Sequence, residues 1–222
     1  MSRAPSRPGA SAPRPAARPA RSSARAAAGP AAAPEPAHRG AGEVRIIGGQ
    51  WKRTRLPVLQ RPGLRPTPDR VRETLFNWLG QDLAGWHCVD AFAGTGVLGL
   101  EAASRGAAEV LLVEGDAGLA EQLRKSCDKL GAETVRVQRG DGLAALRQRA
   151  PRSTHLVLLD PPFEGGLFEA ALAAAVPGLA DDGWVYLEAP QAWDDAALAP
   201  FGLAVHRHLR AGAVHAHLLR KV

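Results

Sequence analysis

From Cys88 onward the chain alternates short apolar runs with longer segments whose apolar residues recur at helical spacing. The runs Cys88–Phe92, Val110–Glu114, Thr134–Gln138, Leu156–Leu159 and Trp184–Glu188 read as strands. Between them, residues 97–105, 117–130, 142–149 and 167–175 read as helices. Strands this short and this continuously apolar are buried on both faces, which is the habit of parallel sheets. Their alternation with helices predicts an α/β fold with a doubly wound, mostly parallel, Rossmann-like sheet. Two closing runs, 203–209 and 213–219, joined through Ala211-Gly212, read as a C-terminal hairpin. That hairpin brings the sheet to seven strands and adds one antiparallel strand at or near an edge. Ahead of the alternation, Val44–Ile47, Gly48-Gly49 and Gln50–Leu56 read as a small N-terminal β-hairpin. A loop over Pro57–Pro68 follows, then a helix over Arg70–Leu79 with Asp69 as its N-cap. Glu73 lies near its first turn, and Val71, Leu75, Trp78 and Leu79 form its apolar stripe. No apolar run approaches the 18 or so residues of a membrane span.

Charge divides this picture into three parts. Residues 1–42 carry seven arginines and one acid, a net +6, with eight prolines and almost no large apolar side chain. Such a segment cannot offset its ordering entropy by burial, and a disordered Pro/Ala/Arg-rich tail is expected. Its prolines would break the amphipathic helix that a transit peptide needs. Residues 43–80 carry eight basic and three acidic residues, a net +5, while residues 81–222 are net −5. A basic arm on an acidic catalytic body suits a polyanion gripped at one end.

Two cysteines, Cys88 and Cys127, are too few for a disulfide framework and lack metal-site spacing. A reducing, cytoplasmic setting follows, and Cys88 reads as a small core residue. His206-x-His208 and His215-x-His217 place imidazoles on one face of neighbouring strands. Alternating residues on an exposed hairpin face account for them better than zinc, so no metal is expected.

The chemistry sits where strands end. Asp90-Ala-Phe92-Ala-Gly94-Thr-Gly96-Val-Leu-Gly99 follows the first long strand and opens a helix. Its glycines let the backbone approach a ligand beside a helix N-terminus. The pattern alone fits a nicotinamide dinucleotide or S-adenosylmethionine. An acid at Asp90 suits a cationic amino group and would repel a pyrophosphate. Glu114 ends the next strand, where a ribose-binding acid belongs, with Asp116 close by. Asp141, in Gly140-Asp141-Gly142, either accepts from an adenine amine or serves a local turn. Asp160-Pro161-Pro162-Phe163 ends the fourth run, and its prolines stop the strand and stiffen the corner. A carboxylate, the Pro161 carbonyl and an aromatic ring are thereby fixed together. An exocyclic amine on a planar base needs this set: two acceptors and a stacking surface.

These motifs resemble the S-adenosylmethionine-dependent amino-methyltransferases that carry an (Asp/Asn)-Pro-Pro-(Tyr/Phe) corner. Within them, the chain is similar to the bacterial family that methylates guanine N2 in 16S ribosomal RNA. The resemblance rests on Arg45-Ile-Ile-Gly-Gly-Gln-Trp51, Leu64-Arg-Pro-Thr-Pro-Asp-Arg-Val-Arg-Glu-Thr-Leu-Phe-Asn-Trp78, Asp90–Gly106 and Leu159–Phe163, and covers residues 43–222. It implies a methyltransferase domain over 81–222 and an RNA-binding hairpin and helix over 43–80. S-adenosyl-L-methionine is the implied donor, lined by Asp90, Phe92, Gly94, Gly96, Glu114 and Asp141. By the same similarity Asp160 and Pro161 hold the base amine, Pro162 completes the corner and Phe163 stacks. RNA contacts are expected from Arg45, Trp51, Lys52, Arg53, Arg55, Arg65, Arg70 and Arg72. The implied partner is 16S rRNA or the assembled small subunit, met by a cytoplasmic monomer. An adenine-N6 methyltransferase acting on DNA or RNA would use the same corner. A nicotinamide oxidoreductase would explain the glycines but leave Asp160–Phe163 idle, and a non-catalytic RNA-binding module would not need the cofactor turn.

Overall fold

The computed structural model describes residues 42–61, 64, 66–163 and 165–222. The expected tail, up to residue 41, and Arg65 lie outside the described residues. Residues 42–222 belong to one compact unit, so the basic 43–80 segment packs as part of the same body.

Seven strands form one sheet in the order β5-β4-β3-β6-β7-β9-β8. They are β3 (His87–Asp90), β4 (Glu109–Glu114), β5 (Val135–Arg139), β6 (Thr154–Leu159), β7 (Leu179–Ala189), β8 (Leu203–Ala211) and β9 (Val214–Lys221). Strands β3 to β7 pair in parallel, and β9 enters antiparallel between β7 and the edge strand β8. This is the expected doubly wound sheet. Strand order reverses between β3 and β6, so the crevice at their C-terminal ends is the topological switch point where such sheets bind ligands.

One core layer joins this sheet to α1 (Asp69–Leu79), α2 (Val97–Ser104) and α3 (Ala117–Leu130). The opposite layer joins it to α4 (Gly142–Arg147), α5 (Leu167–Ala175) and the short α6 (Asp195–Leu198). The sheet residues alternate accordingly. Leu156, Leu158 and Tyr186 belong to the first layer, and Val157, Leu159, Val185 and Leu187 to the second.

Ahead of the sheet, β1 (Glu43–Arg45) and β2 (Arg55–Pro57) form the N-terminal hairpin. Its strands are shorter than the expected runs, because residues 46–54 form a loop laid onto the end of α2. The Gln50 and Trp51 amides donate to Ser104, at 2.7 Å to the carbonyl and 3.0 Å to Oγ. Gly49 makes this possible: its φ is 70°, and a Cβ there would overlap the Ser104 carbonyl.

Helix α1 begins one residue earlier than expected. Pro68 is the N-cap, without a side-chain hydrogen bond, and Asp69 is the first helical residue. The Asp69 carboxylate is occupied instead by Arg45 at 2.8 Å and Arg72 at 2.5 Å. Phe76 joins the buried stripe, while Trp78 is only half-buried. Among the described residues no helix is long and apolar enough to cross a membrane.

Candidate active site

The turn after β3 is built on two carboxylates. Asp90 is 2% exposed, and its Oδ2 accepts from the Gly99 amide at 3.1 Å. Burial pushes its carboxyl up to about 7, against the opposing pull of the Gly99 and Phe92 amides. Asp90, expected from the sequence to line the cofactor, thus lies at the base of the glycine turn. This acid is turned back beneath the turn and holds its backbone. Gly96 (φ 73°) then starts α2 in a left-handed conformation that only glycine adopts without strain. At the end of the neighbouring β4, Glu114 Oε2 accepts from the Gly94 amide at 2.8 Å and Oε1 from the Asp116 amide at 2.8 Å. The expected ribose acceptor thus stands against the glycine turn, half-exposed, as does Phe92.

Asp141 caps α4: its Oδ1 accepts from the Leu143 amide at 2.7 Å and the Ala144 amide at 3.3 Å. The local role offered for it in the sequence is present, and the carboxylate remains exposed. Asp116 caps α3 in the same way and is held below the usual carboxylate range, chiefly by the Leu119 amide.

Asp160 follows β6 one strand over from Asp90. Burial and the charges of Glu188 and Asp90 raise its carboxyl well above the usual range. Pro161 is buried, Pro162 is exposed and Phe163 is 42% exposed. The Phe163 ring is thus partly open to solvent at the switch point. Phe163 starts an aromatic row, with its centroid 6.1 Å from Phe168, which stands 6.4 Å from Trp193. Neither Phe168 nor Trp193 stands out in the sequence, because they come from α5 and the loop after β7. Glu188 is a further site residue that the sequence does not single out. It is 5% exposed, and its Oε1 accepts from Thr67 Oγ1 at 2.8 Å and Tyr186 Oη at 2.9 Å.

Basic residues of the arm divide into two kinds. Lys52, Arg53 and Arg70 are exposed, as are Arg45, which pairs with Asp69, and Arg55, which pairs with Glu43. Arg70 also flanks a shallow pocket of about 250 Å³ between α1 and the β8–β9 hairpin, where Arg210 supplies a second cation. Arg72 is the exception and corrects the sequence reading. It is fully buried, with Nη1 on Glu101 at 3.3 Å, Nη2 on Asp69 and Nε donating to the Thr67 carbonyl at 3.1 Å. No phosphate reaches it. Trp51 is half-buried against the first core layer rather than free on the surface.

The histidines also differ from the exposed face expected of them. His217 is fully buried, His206 and His215 are half-buried, and His208 is exposed. Among the described residues no cluster of His, Cys, Asp and Glu could hold a metal ion. Cys88 and Cys127 are buried thiols, pushed up to about 12 and about 11 by desolvation, and are inert.

Residues 44–220 match the family described as Conserved hypothetical protein 95. The chain belongs to this family. It is 41% identical over 189 residues to Ribosomal RNA small subunit methyltransferase D of Escherichia coli strain K12, covering 84% of this chain and 94% of that protein. It is 44% identical over 147 residues to the protein of the same name from Haemophilus influenzae, covering 65% of this chain and 74% of the relative. Among solved structures, the Escherichia coli protein yhhF superposes with a TM-score of 0.70 at 38% identity, covering 81% of this chain and 98% of that one. The family match takes in the arm, the glycine turn and the Asp160 corner.

Proposed function

We propose that this protein methylates the exocyclic N2 amine of a guanine in 16S ribosomal RNA, using S-adenosylmethionine. The observation that carries the reading is the position of Asp160, Pro161 and Phe163 at the switch point, one strand from the Asp90–Gly99 turn. The names of the relatives support the substrate class. The donor set also fits S-adenosylmethionine: amides of a glycine turn at a helix N-terminus, with the Glu114 carboxylate placed across from them. In this reading Glu114 accepts from ribose hydroxyls and the turn from Phe92 to Gly96 carries the amino-acid portion. Asp141 accepts from the adenine amine through the oxygen its helix leaves free. S-adenosylmethionine supplies an electrophilic methyl group on a sulfonium.

Every other part of the chemistry belongs to the chain. The target guanine is turned out of its stack and laid against Phe163. Asp160 and the Pro161 carbonyl accept its N–H groups, drawing the nitrogen towards tetrahedral geometry so that its lone pair leaves the ring. Charge developing on that nitrogen is stabilised by the Asp160 carboxylate. The rate enhancement is thus positioning plus fixed electrostatics. The surface bearing Lys52, Arg53, Arg55 and Arg70 grips phosphates and sets the register without reading bases.

The test offers labelled S-adenosylmethionine with naked 16S rRNA, assembled small subunits and duplex DNA, then maps the modified base. Methyl-guanine in either RNA sample supports the reading; label only in adenine, or only in DNA, overturns it.

A further inference from the structure

Leu159 of β6 pairs in parallel register with Leu187 of β7, so the next residues, Asp160 just past β6 and Glu188 still within β7, stand side by side. Strand alternation turns both to the face that carries Leu158 and Tyr186. Glu188 is held there by two buried hydroxyls. Burial raises the Glu188 carboxyl, and Thr67 Oγ1 and Tyr186 Oη, converging on Oε1, oppose that rise by favouring the ionised form. Among the described residues no lysine, arginine or histidine forms an ion pair with Glu188 or Asp160.

The groups facing this pair can be named. From β3 comes Asp90, which adds negative charge. From β7 come Glu188 and Tyr186, and from the segment before α1 the neutral Thr67. Arg72, behind Thr67, is committed to Glu101 and Asp69. From β9 the residue opposite Glu188 is Ala216. His215 and His217 stand opposite Ala189 and Leu187, on the other face. The charge on Glu188 therefore falls on Asp160 without a cation to offset it.

We propose that Glu188 is a positioning residue for methyl transfer: fixed by Tyr186 and Thr67 beside Asp160, it keeps Asp160 basic enough to take the proton that the target amine sheds. This rests on the amine-methylation reading above. In the step, the amine nitrogen forms an N–C bond as the sulfonium S–C bond breaks, and that bonding pair returns to sulfur. The nitrogen then carries the positive charge and loses one proton to the Asp160 carboxylate, which releases it to water. A carboxylate beside another negative charge is the better acceptor for that proton. Thr67 belongs to the basic 43–80 segment, so the part of the chain that grips RNA also supplies a hydroxyl to the reacting corner.

The test is a carboxyl-carbon NMR titration of Asp160 in the free protein, wild type against Glu188→Gln, alongside the pH dependence of kcat. Glutamine keeps an oxygen for both hydroxyls, removes the charge and turns the second oxygen into an amide donor. The Asp160 midpoint should fall by about one pH unit or more. The acid limb of kcat should move down by the same amount, while the alkaline plateau drops several-fold. Thr67→Val and Tyr186→Phe each remove one donor from Glu188 and should shift both readouts the same way by less; they carry the test if Glu188→Gln does not fold. A purely structural Glu188 would change stability and leave both midpoints in place. An unmoved Asp160 midpoint overturns the proposal, as does a moved midpoint with an unmoved acid limb. Wild-type protein inactive on every RNA would sink the methylation reading instead, and the NMR midpoint would still decide the pairing.

Discussion

The buried imidazole of His217 holds the Trp193 backbone: its Nε2 accepts from the Trp193 amide at 3.0 Å, while Nδ1 donates to the Leu187 carbonyl at 3.3 Å. The two partners fix one neutral tautomer, and burial lowers the imidazole to about 4. His217 thereby ties the loop after β7 to the sheet and sets one end of the row Phe163–Phe168–Trp193. His217→Ala should cost about 1–3 kcal/mol through the orphaned groups. It should also raise KM for RNA more than it lowers kcat, and Trp193→Ala should share the KM effect without the full stability cost. Steady-state kinetics and urea unfolding of both variants check this.

Arg72→Ala should destabilise the fold by roughly 3–5 kcal/mol, since it leaves Glu101 with part of its charge unpaired in a buried site. Its effect on RNA affinity, in whatever fraction stays folded, should be independent of salt. A reduced salt slope would return Arg72 to the RNA surface.

Asp160→Ala should keep S-adenosylmethionine binding, measured by calorimetry, and slow methyl transfer by about 10²–10³-fold, the scale of removing one transition-state hydrogen bond. Asp160→Asn should fall between, because the amide oxygen still accepts from the amine but takes no proton. Near-normal turnover of the alanine variant would remove Asp160 from the chemistry.

Replacing Lys52, Arg53 and Arg55 together by alanine should flatten the salt dependence of RNA binding, by roughly 0.7–0.9 in log–log slope for each phosphate no longer neutralised. The pair Arg70 and Arg210 should behave alike if RNA runs on from the arm to the β8–β9 hairpin across their shared pocket. Filter binding between low and moderate salt reads both.

The free protein should gain stability as pH falls from 8 to about 6.5. Asp90 has a folded value of about 7, raised by burial above its unfolded value near 3.9, so the fold carries an uncompensated charge above pH 7 and sheds it below. Asp160 and Glu188 act in the same direction. His217 opposes them only lower down: its depressed value contributes stability above about 6.5 that is lost as pH falls towards 4. Asp90→Asn should flatten the upper slope by about 0.7 kcal/mol per pH unit at pH 7, where the buried carboxyl is half protonated. Thermal midpoints across that window test the sign.

Strand and helix order, the parallel sheet and the corner at Asp160 were all legible in the sequence, because buried parallel strands announce themselves as short apolar runs and prolines mark where one stops. Helices α3 and α5 fall on the expected residues for the same reason of clear periodicity. What was not legible depends on packing between distant segments. Arg72 reads as one more cation in a basic stretch, and only the fold shows Glu101, twenty-nine positions on, taking its charge. His217 reads as half of an exposed alternating pair, yet the loop after β7 covers it. Glu188 looks like the end of a strand, since Thr67 and Tyr186 give it meaning only once β7 stands beside β6. The glycines at 48 and 49 read as a hairpin turn, and their use is to let a loop lie on α2.

Glu101 has a consequence for how such a protein could be taken apart. It is fully buried and receives the Ile47 and Gly48 amides at 2.8 and 2.7 Å, together with Arg72 and Arg105. Three of those four partners come from the arm, while the acid itself belongs to the helix that opens at the glycine turn. Grafting this arm onto another catalytic body would require that body to own a matching acid. Deleting it would leave the parent with a carboxylate attended by Arg105 alone. The two halves are therefore exchangeable only as a set, and recombination between relatives should cross outside residues 47–105.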